Sequence, residues 1–328
     1  MSDELLNLKD VRKYFGLRGV PWRKAQAVRA VDGVNLVVRK GETLGLVGES
    51  GSGKSTLARV ATRLLDPTAG RVEIGGKDVT RIKGRRLRPI RRQVQMVFQD
   101  PQASLNPRQS VGTILSTPFR AQGIRPSRTQ LVELLEQVGL SGQHLERYPH
   151  EFSGGQRQRI GIARALSVKP ELLVCDEPVS ALDVSVQAQV LNLLADLRDE
   201  LGLSYVLVAH DLAVVRQVAD RIAVMYLGTI VEEGPAAQVY QSPAHPYTKA
   251  LLSAVPVPEP GVVRERIVLT GDVPTPIDPP SGCPFRTRCY KAEDVCATER
   301  PVLEPVDGQA GHRAACYFPE PPSLERTE

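Results

Sequence analysis

The stretch GESGSGKST, residues 48–56, constrains the fold of this chain more than any other part of the sequence. It follows the short apolar run TLGLV (43–47), and the apolar positions after Lys54 recur at helical spacing, so the sequence predicts a strand, a tight loop and a helix. The pattern G-x-x-x-x-G-K-[ST] in that setting predicts a phosphate-binding loop, which we favour over a chance glycine-rich turn. Lys54 would reach the terminal phosphates of ATP and Ser55 would ligate Mg²⁺. The predicted nucleotide-binding residues of this loop are Gly48, Ser50, Gly51, Ser52, Gly53, Lys54, Ser55 and Thr56.

An acidic pair, Asp176 and Glu177, ends the apolar run LLVCDEP. Carboxylates at the end of a buried strand are costly unless they have a partner or a task. Asp176 can hold the magnesium, directly or through water, and Glu177 can polarise the attacking water as a general base. The alternative is a pair that only caps the next helix; beside a phosphate-binding loop, we favour a site that hydrolyses ATP.

A second glycine-rich helix start, FSGGQ (152–156), lies about a hundred residues after the first. Ser153 and the backbone N–H groups of Gly154 and Gly155 could face an anion, because the N-terminus of a helix attracts negative charge. No lysine followed by Ser or Thr is placed here as in the first loop. This segment therefore cannot bind Mg·ATP alone and needs a nucleotide held elsewhere.

Strand and helix signals alternate along the chain, which predicts an α/β fold with a mostly parallel sheet. The valine-rich stretch before Gly41 predicts an antiparallel β layer, and the capping-box spacing of Ser127 and Gln130 lies in a helical subdomain that we place at about 100–168. Prolines and cysteines crowd the tail. The expected organisation is a domain at 1–255 and a small, separate, cysteine-rich appendage at 256–328.

Composition narrows the possible partners. The sequence has no apolar run of about 18 residues and no basic-then-apolar start, so we expect neither a membrane span nor export from the cytoplasm. The basic run GRRLRPIRR (84–92) could face phosphate or anionic lipid, but a solvated face is favoured. Without interleaved aromatic residues or a nucleic-acid motif, we predict no nucleic-acid partner.

Over about residues 5–255 the sequence resembles the ATP-binding cassette (ABC) ATPases, motif by motif and in order. The resemblance implies a RecA-like P-loop NTPase fold and names FSGGQ as the family signature, VFQD as the Q-loop and VAHD as the carrier of the switch histidine. In that family two cassettes pack head to tail, and the signature of one closes over the ATP held by the other. His210 would orient the water and Glu177, Gln99 would ligate Mg²⁺, and Phe15 would stack on adenine, with Tyr14 as the less favoured candidate. The nucleotide-binding residues that the resemblance implies are Phe15, Gln99, Ser153, Gly154, Gly155, Gln156 and Asp183.

Two segments, HPYTKALLSAVP (245–256) and GCPFRTRC (282–289), resemble the C-terminal region of the oligopeptide and dipeptide importer ATPases, a family that includes nickel importers. QDPQASLNPR and HEFSGGQRQRIGIARAL look more like its F-type than its D-type subunit. The resemblance implies a heterodimer with a D-type ATPase, two integral membrane permeases and an extracytoplasmic substrate-binding protein, at the cytoplasmic face of the plasma membrane. The cargo would be di- or oligopeptides, with nickel or another small solute as the alternative.

Functions outside transport are less favoured. A soluble ABC protein of DNA repair or translation would usually carry two cassettes or a long coiled-coil insertion, and a P-loop kinase would lack the signature.

Four cysteines, Cys283, Cys289, Cys296 and Cys316, cluster in the tail. A reducing cytoplasm disfavours disulfides, whereas four thiolates can wrap one [4Fe–4S] cluster or one Zn²⁺. The spacing lacks the C-x₂₋₄-C pairs typical of zinc sites, and some dipeptide-importer ATPases with a similar tail carry an iron–sulfur cluster. We therefore predict a [4Fe–4S] cluster, with zinc and unligated cysteines as alternatives.

Overall fold

The structure is a computed structural model that describes residues 3–17, 26–255 and 266–321. The boundary predicted at 255/256 adjoins residues 256–265, which lie outside the described residues. The strands are β1 (Glu4–Gly16), β2 (Ala27–Arg39), β3 (Thr43–Val47), β4 (Ala69–Ile74), β5 (Lys77–Asp78), β6 (Val94–Val97), β7 (Leu172–Asp176), β8 (Ser204–Ala209), β9 (Arg221–Tyr226), β10 (Thr229–Pro235), β11 (Glu304–Pro305) and β12 (Arg313–Ala314). The α-helices are α1 (Lys54–Ala61), α2 (Arg88–Gln93), α3 (Pro101–Ser104), α4 (Val111–Ala121), α5 (Arg128–Gln137), α6 (Gly154–Leu166), α7 (Val184–Leu201), α8 (Leu212–Arg216), α9 (Ala236–Gln241), α10 (Pro246–Ser253) and α11 (Val295–Thr298). Short 3-10 helices cover Gly84–Leu87, Gly142–Glu146 and Pro149–Glu151.

The main sheet has the strand order β11-β12-β10-β9-β3-β8-β7-β6. Strands β9, β3, β8, β7 and β6 run parallel, as predicted, and every residue of β3, β7 and β8 is buried. Helices on both faces explain why these strands are continuous apolar runs. Because the strands are parallel, the loop after β3 and the residues that end β7 and β8 all lie at one edge of the sheet.

A second, antiparallel sheet has the order β2-β1-β4-β5, so the predicted antiparallel layer is confirmed. Its buried side chains share one apolar cluster with α1 and with β3, β7 and β8 of the main sheet. Helix α1 therefore lies between the two sheets, with the phosphate loop (48–56) at its N-terminal end.

Helices α3 to α6 occupy 101–166, within the region predicted to be helical. Helix α5 begins at Ser127, and the predicted capping box with Gln130 is present. A second apolar cluster joins α4, α5 and α6 to α7 and to the other face of β7 and β8.

The tail is not the separate appendage that the sequence suggested. Strand β12 pairs with β10 through Glu232–Ala314 and Glu233–Arg313, so the tail extends the main sheet. Phe285 is fully buried in an apolar cluster that also contains Tyr226 of β9 and Tyr247 of α10. The sequence could not indicate this pairing with β10, because a two-residue strand leaves no periodic pattern in a proline-rich sequence.

No helix among the described residues is both long enough and apolar enough to cross a bilayer.

Candidate functional site

The phosphate loop wraps tightly because two glycines permit close backbone approaches. A Cβ on Gly48 would come within 2.1 Å of the Met225 carbonyl oxygen, and one on Gly53 within 2.0 Å of the Ala30 carbonyl oxygen. Both residues also have positive φ, which side chains disfavour. The backbone at these two positions therefore accepts only glycine. The loop lies between β9, which contains Met225, and β2, which contains Ala30.

The Lys54 ammonium group lies inside this loop. Its Nζ donates to the carbonyl oxygens of Gly48 at 2.7 Å and Glu49 at 2.9 Å, and to Ser52 Oγ at 3.4 Å. Burial lowers the pKa of Lys54, while the charges of Glu177, Asp176 and Glu49 oppose that shift. A buried cation held mainly by neutral carbonyls is well placed to gain from an anionic phosphate.

Ser55 and Asp176 are brought together across the site. Ser55 Oγ donates to Asp176 Oδ1 at 2.8 Å, and Asp176 is almost fully buried. Burial raises the pKa of Asp176, against the hydrogen bond from Ser55. Two oxygens converging beside a phosphate loop suit Mg²⁺, a hard cation that binds one or two protein oxygens together with phosphates. When bound there, the ion would neutralise charge on the phosphates.

Glu177 lies next to this pair in a strained backbone conformation, with φ of 47°. Non-glycine residues rarely adopt this region, at a cost of about 1 kcal/mol, and such strain concentrates at functional sites. The Glu177 carboxylate accepts a hydrogen bond from Gln99 Nε2 at 2.8 Å and lies 3.6 Å from His210 Nδ1. The structure thus brings the three residues together in one group.

Phe15 and Tyr14 have different environments on β1. The Tyr14 hydroxyl donates to Asp32, whereas Phe15 is 39% exposed, with Lys13 Nζ 5.1 Å from its ring centre. Phe15 pairs with Val28 on β2, the strand that also meets Gly53 through Ala30. Phe15 is exposed whereas Tyr14 is half-buried, so Phe15 is the better placed of the two to stack on a base.

The signature segment (152–156) lies apart from the phosphate loop. Ser153 caps α6, its Oγ accepting from the Gln156 N–H at 3.3 Å while Gln156 Oε1 accepts from the Ser153 N–H at 3.0 Å. A Cβ on Gly155 would come within 2.4 Å of Val186, so α6 packs closely against the start of α7. In the part of the chain that the structure describes, no hydrogen bond joins the signature segment to residues 48–56.

Asp183 likewise stays within its own helix start. Its Oδ1 accepts from the Val186 N–H at 3.0 Å and from Ser185 Oγ at 2.7 Å, which caps α7. Within this chain, Asp183 is therefore not brought to the phosphate loop.

Three residues at the loop were missed by sequence reasoning. Arg288 donates two hydrogen bonds to the Glu49 carboxylate, at 2.7 and 3.2 Å, and the Tyr247 hydroxyl accepts from the Glu49 N–H at 2.8 Å. Tyr247 and Arg288 occur in the segments 245–256 and 282–289, but the sequence pattern there carries no indication of a contact 198 or 239 residues away.

The structure does not support the predicted [4Fe–4S] cluster, or zinc, at the four tail cysteines. Cys283, Cys289 and Cys296 share one apolar cluster, and the Cys283 N–H donates to the Cys296 carbonyl at 2.8 Å. Burial raises the pKa of Cys283 and Cys289, and that of Cys316 to about 11, which disfavours the thiolate form that a metal needs. Over residues 3–17, 26–255 and 266–321, no three His, Cys, Asp or Glu side chains form a group able to hold a metal. Cys283, Cys289 and Cys296 are therefore neighbours packed as apolar side chains.

Comparison with known proteins gives matches in both regions of the chain. The family model described as ABC transporter matches residues 31–180, and the one described as oligopeptide/dipeptide transporter, C-terminal region, matches residues 231–296. The oligopeptide transport ATP-binding protein AppF of Bacillus subtilis (strain 168) is 50% identical over 324 residues, which cover 97% of this chain and 98% of that protein. The oligopeptide transport ATP-binding protein OppF of Salmonella typhimurium (strain LT2) is 50% identical over 326 residues, covering 97% of each.

Among solved structures, this chain is similar to the ATP-binding cassette MJ0796, in a dimeric post-hydrolysis state bound to ADP and Pi. The TM-score is 0.62 at 30% identity, over 71% of this chain and 99% of that one. The similarity to that cassette thus covers less of the chain than the similarity to the two transport proteins, which includes the tail.

Proposed function

This chain belongs to the ABC transporter ATPases, within the family of oligopeptide transport ATP-binding proteins, and we propose that it couples ATP hydrolysis to the import of di- or oligopeptides. It is an ATPase with the P-loop NTPase fold. The observation that supports a peptide cargo is identity of 50% across both the ATPase region and the tail, because the tail distinguishes this family from other cassettes.

The grouping of side chains at the sheet edge supports the hydrolytic roles that we propose. Lys54 binds the terminal phosphates, and Ser55, Asp176 and Gln99 would hold Mg²⁺. Glu177 takes the proton of the attacking water, and His210, 3.6 Å from its carboxylate, orients both. Gln99 donates to the same carboxylate, so a shift of Gln99 towards the metal would free Glu177 to act as the base.

The signature segment acts on the nucleotide of a second cassette. Support for this comes from its position: Ser153 is exposed, and its hydrogen bonds stay within α6. The same argument applies to Asp183 at the start of α7. The solved cassette similar to this chain is a dimer bound to ADP and Pi. We propose that the partner is a D-type ATPase, which gives a heterodimer.

Import requires subunits that cross the membrane. We propose two integral permeases, with this chain bound peripherally at the cytoplasmic face of the plasma membrane, and an extracytoplasmic protein that delivers the substrate. A nickel importer is the second candidate, favoured only by the breadth of the family that the tail segments resemble.

The test is transport by the reconstituted complex. The chain is co-expressed with the membrane subunits and partner ATPase encoded beside it, and the purified complex in proteoliposomes is assayed with a labelled peptide and with ⁶³Ni²⁺. We expect peptide uptake that needs ATP and is lost in Lys54→Ala. Uptake of nickel but not of peptide would overturn the proposed peptide cargo. ATP hydrolysis by a chain that associates with no permease would overturn the proposed role in transport.

The [4Fe–4S] cluster at the tail cysteines stays a separate prediction, and we assign it no role in the ATPase cycle. Its support is the proximity of three of the cysteines: Cys283, Cys289 and Cys296 share one apolar cluster, and the Cys283 N–H donates to the Cys296 carbonyl at 2.8 Å. A bound [4Fe–4S] cluster would need those thiols deprotonated and moved towards one point.

A further inference from the structure

The tail holds the phosphate loop through Glu49, the second residue of the loop. Three groups of Glu49 are bonded: the N–H donates to the Tyr247 hydroxyl, the carboxylate accepts two hydrogen bonds from Arg288, and the carbonyl accepts from Lys54 Nζ. Glu49 thus joins the tail directly to the lysine that meets the phosphates.

The Arg288–Glu49 ion pair has the geometry of a strong contact. The planar guanidinium binds both carboxylate oxygens, and the side chains are only 9% and 27% exposed. The hydrogen bond and charge of Glu49 raise the pKa of Arg288 against the effect of burial. Removing one partner of a buried pair leaves the other charge uncompensated, so the contact is costly to break.

The local fold of the tail fixes where Arg288 lies. The Arg286 N–H donates to the Cys283 carbonyl and the Arg288 N–H to the Phe285 carbonyl, which makes a compact turn. The Phe285 ring packs against Tyr226 and Tyr247, with ring centres 5.2 and 5.4 Å apart. The turn is thereby anchored to the strand and helix that flank the loop.

We propose that Arg288 is a positioning residue for ATP binding, which holds Glu49 so that the phosphate loop and Lys54 are preorganised for the triphosphate. In this role the tail sets the nucleotide affinity of its own cassette. Loss of Arg288 frees the start of the loop and leaves an unpaired carboxylate beside an anionic ligand. Both effects weaken ATP binding, and neither moves Glu177 or Asp176.

The inference rests on the proposed function only in that the loop binds ATP. The experiment measures the Kd of a fluorescent ATP analogue on the purified full chain, together with Tm, for wild type, Arg288→Ala and Arg288→Lys. We expect about a tenfold weaker Kd in Arg288→Ala, within the range usual for coupling between sites, and a smaller loss in Arg288→Lys because one contact can remain. In the assembled transporter, KM for ATP should rise while kcat changes by less than about twofold.

Arg313→Ala is the matched control. Arg313 is also a tail arginine paired with a core glutamate, Glu233, but that pair lies on β12 and β10 rather than at the loop. We expect its Kd to equal that of wild type even if its Tm falls. The double variant Glu49→Gln/Arg288→Ala should bind ATP no more weakly than Arg288→Ala, because both changes remove the same contact.

An unchanged Kd in both Arg288 variants, or an equal loss in Arg313→Ala, would overturn the positioning role and leave only a structural ion pair. Should Arg288→Ala fail to fold, Arg288→Lys and Glu49→Gln decide the same question. Absence of ATP binding by the wild-type chain would instead overturn the proposed function, and this inference with it.

Discussion

The two glycine-rich helix starts of this chain differ in how they are surrounded. The phosphate loop is enclosed by its own chain: Lys54 is buried, Ser55 is bonded to Asp176, and Glu49 is held by the tail. The signature segment has an exposed Ser153 whose hydrogen bonds are those of a capping box within α6. Similar glycine-rich sequences therefore serve opposite purposes, one forming a site in this chain and the other presenting a helix end outward.

The largest expected effect tests whether the enclosed site holds the complete chemistry. Glu177→Gln should lower turnover by about 10² to 10³-fold, because the general base is lost, while ATP still binds. Steady-state ATPase rates and nucleotide Kd in the assembled transporter measure the two effects. Glu171→Gln is the matched control, since Glu171 lies just before β7 and is bonded to Gln93. Wild-type turnover in Glu177→Gln would contradict the assignment.

The next effect tests whether the open segment acts on another chain. Ser153→Arg should lower turnover about a hundredfold by blocking closure over the partner's ATP, with Kd at the chain's own loop nearly unchanged. Ser127→Arg removes the same type of capping box from α5 at a similar cost, about 1 kcal/mol, and should keep its turnover. Equal loss of binding and turnover in Ser153→Arg would mean that both segments share one nucleotide within this chain.

A third effect concerns the support behind the enclosed loop. His245 caps α10, with Nδ1 accepting from the Tyr247 N–H at 3.1 Å, and burial lowers the pKa of His245 from 6.5 to about 4 despite the nearby Glu232. Between these values the unfolded chain binds more protons, so stability falls as pH falls through that window. From pH 7 to pH 5 the expected loss is about 2 kcal/mol.

Thermal unfolding of the apo chain from pH 7 to pH 4.5 measures this loss. His245→Asn keeps an acceptor at the helix cap without a group that titrates there, so its Tm should depend less on pH. Identical pH profiles for the two proteins would show that His245 is not the group responsible.

Substitution of a tail cysteine is expected to have the smallest effect on the two glycine-rich segments. If the tail binds a [4Fe–4S] cluster, protein purified without oxygen should absorb broadly near about 400 nm, and Cys289→Ser should remove that absorption. ATP affinity should change by no more than about twofold. Cys175→Ala, in β7, should keep the absorption. Colourless protein with one equivalent of zinc would identify the other metal, and protein without metal would contradict the prediction.

Sequence patterns were sufficient to predict the features that depend on residues close together in the chain. The loop at 48–56, the buried strands β3, β7 and β8 and the capping box at Ser127 all have local signals, and all are present. The grouping of Gln99, Glu177 and His210 was expected only from the family resemblance. The contacts of Glu49 with Arg288 and Tyr247 were not predicted, because pairs so distant in sequence leave no periodic pattern. The strained backbone at Glu177 also had no sequence signal, since φ above zero is set by tertiary context.

The Arg288–Glu49 contact also has a consequence for synthesis on the ribosome. Glu49 emerges early, but its ion-pair partner is made 239 residues later. Until that late segment emerges, the loop lacks the Arg288 contact, and β10 lacks the pairing that β12 gives it. Because contacts of such high sequence separation form late and slowly, a chain that stops short of residue 288 leaves a sheet edge unpaired and exposed to aggregation. An incomplete translation product that lacks the tail is therefore expected to aggregate more readily than the finished ATPase subunit.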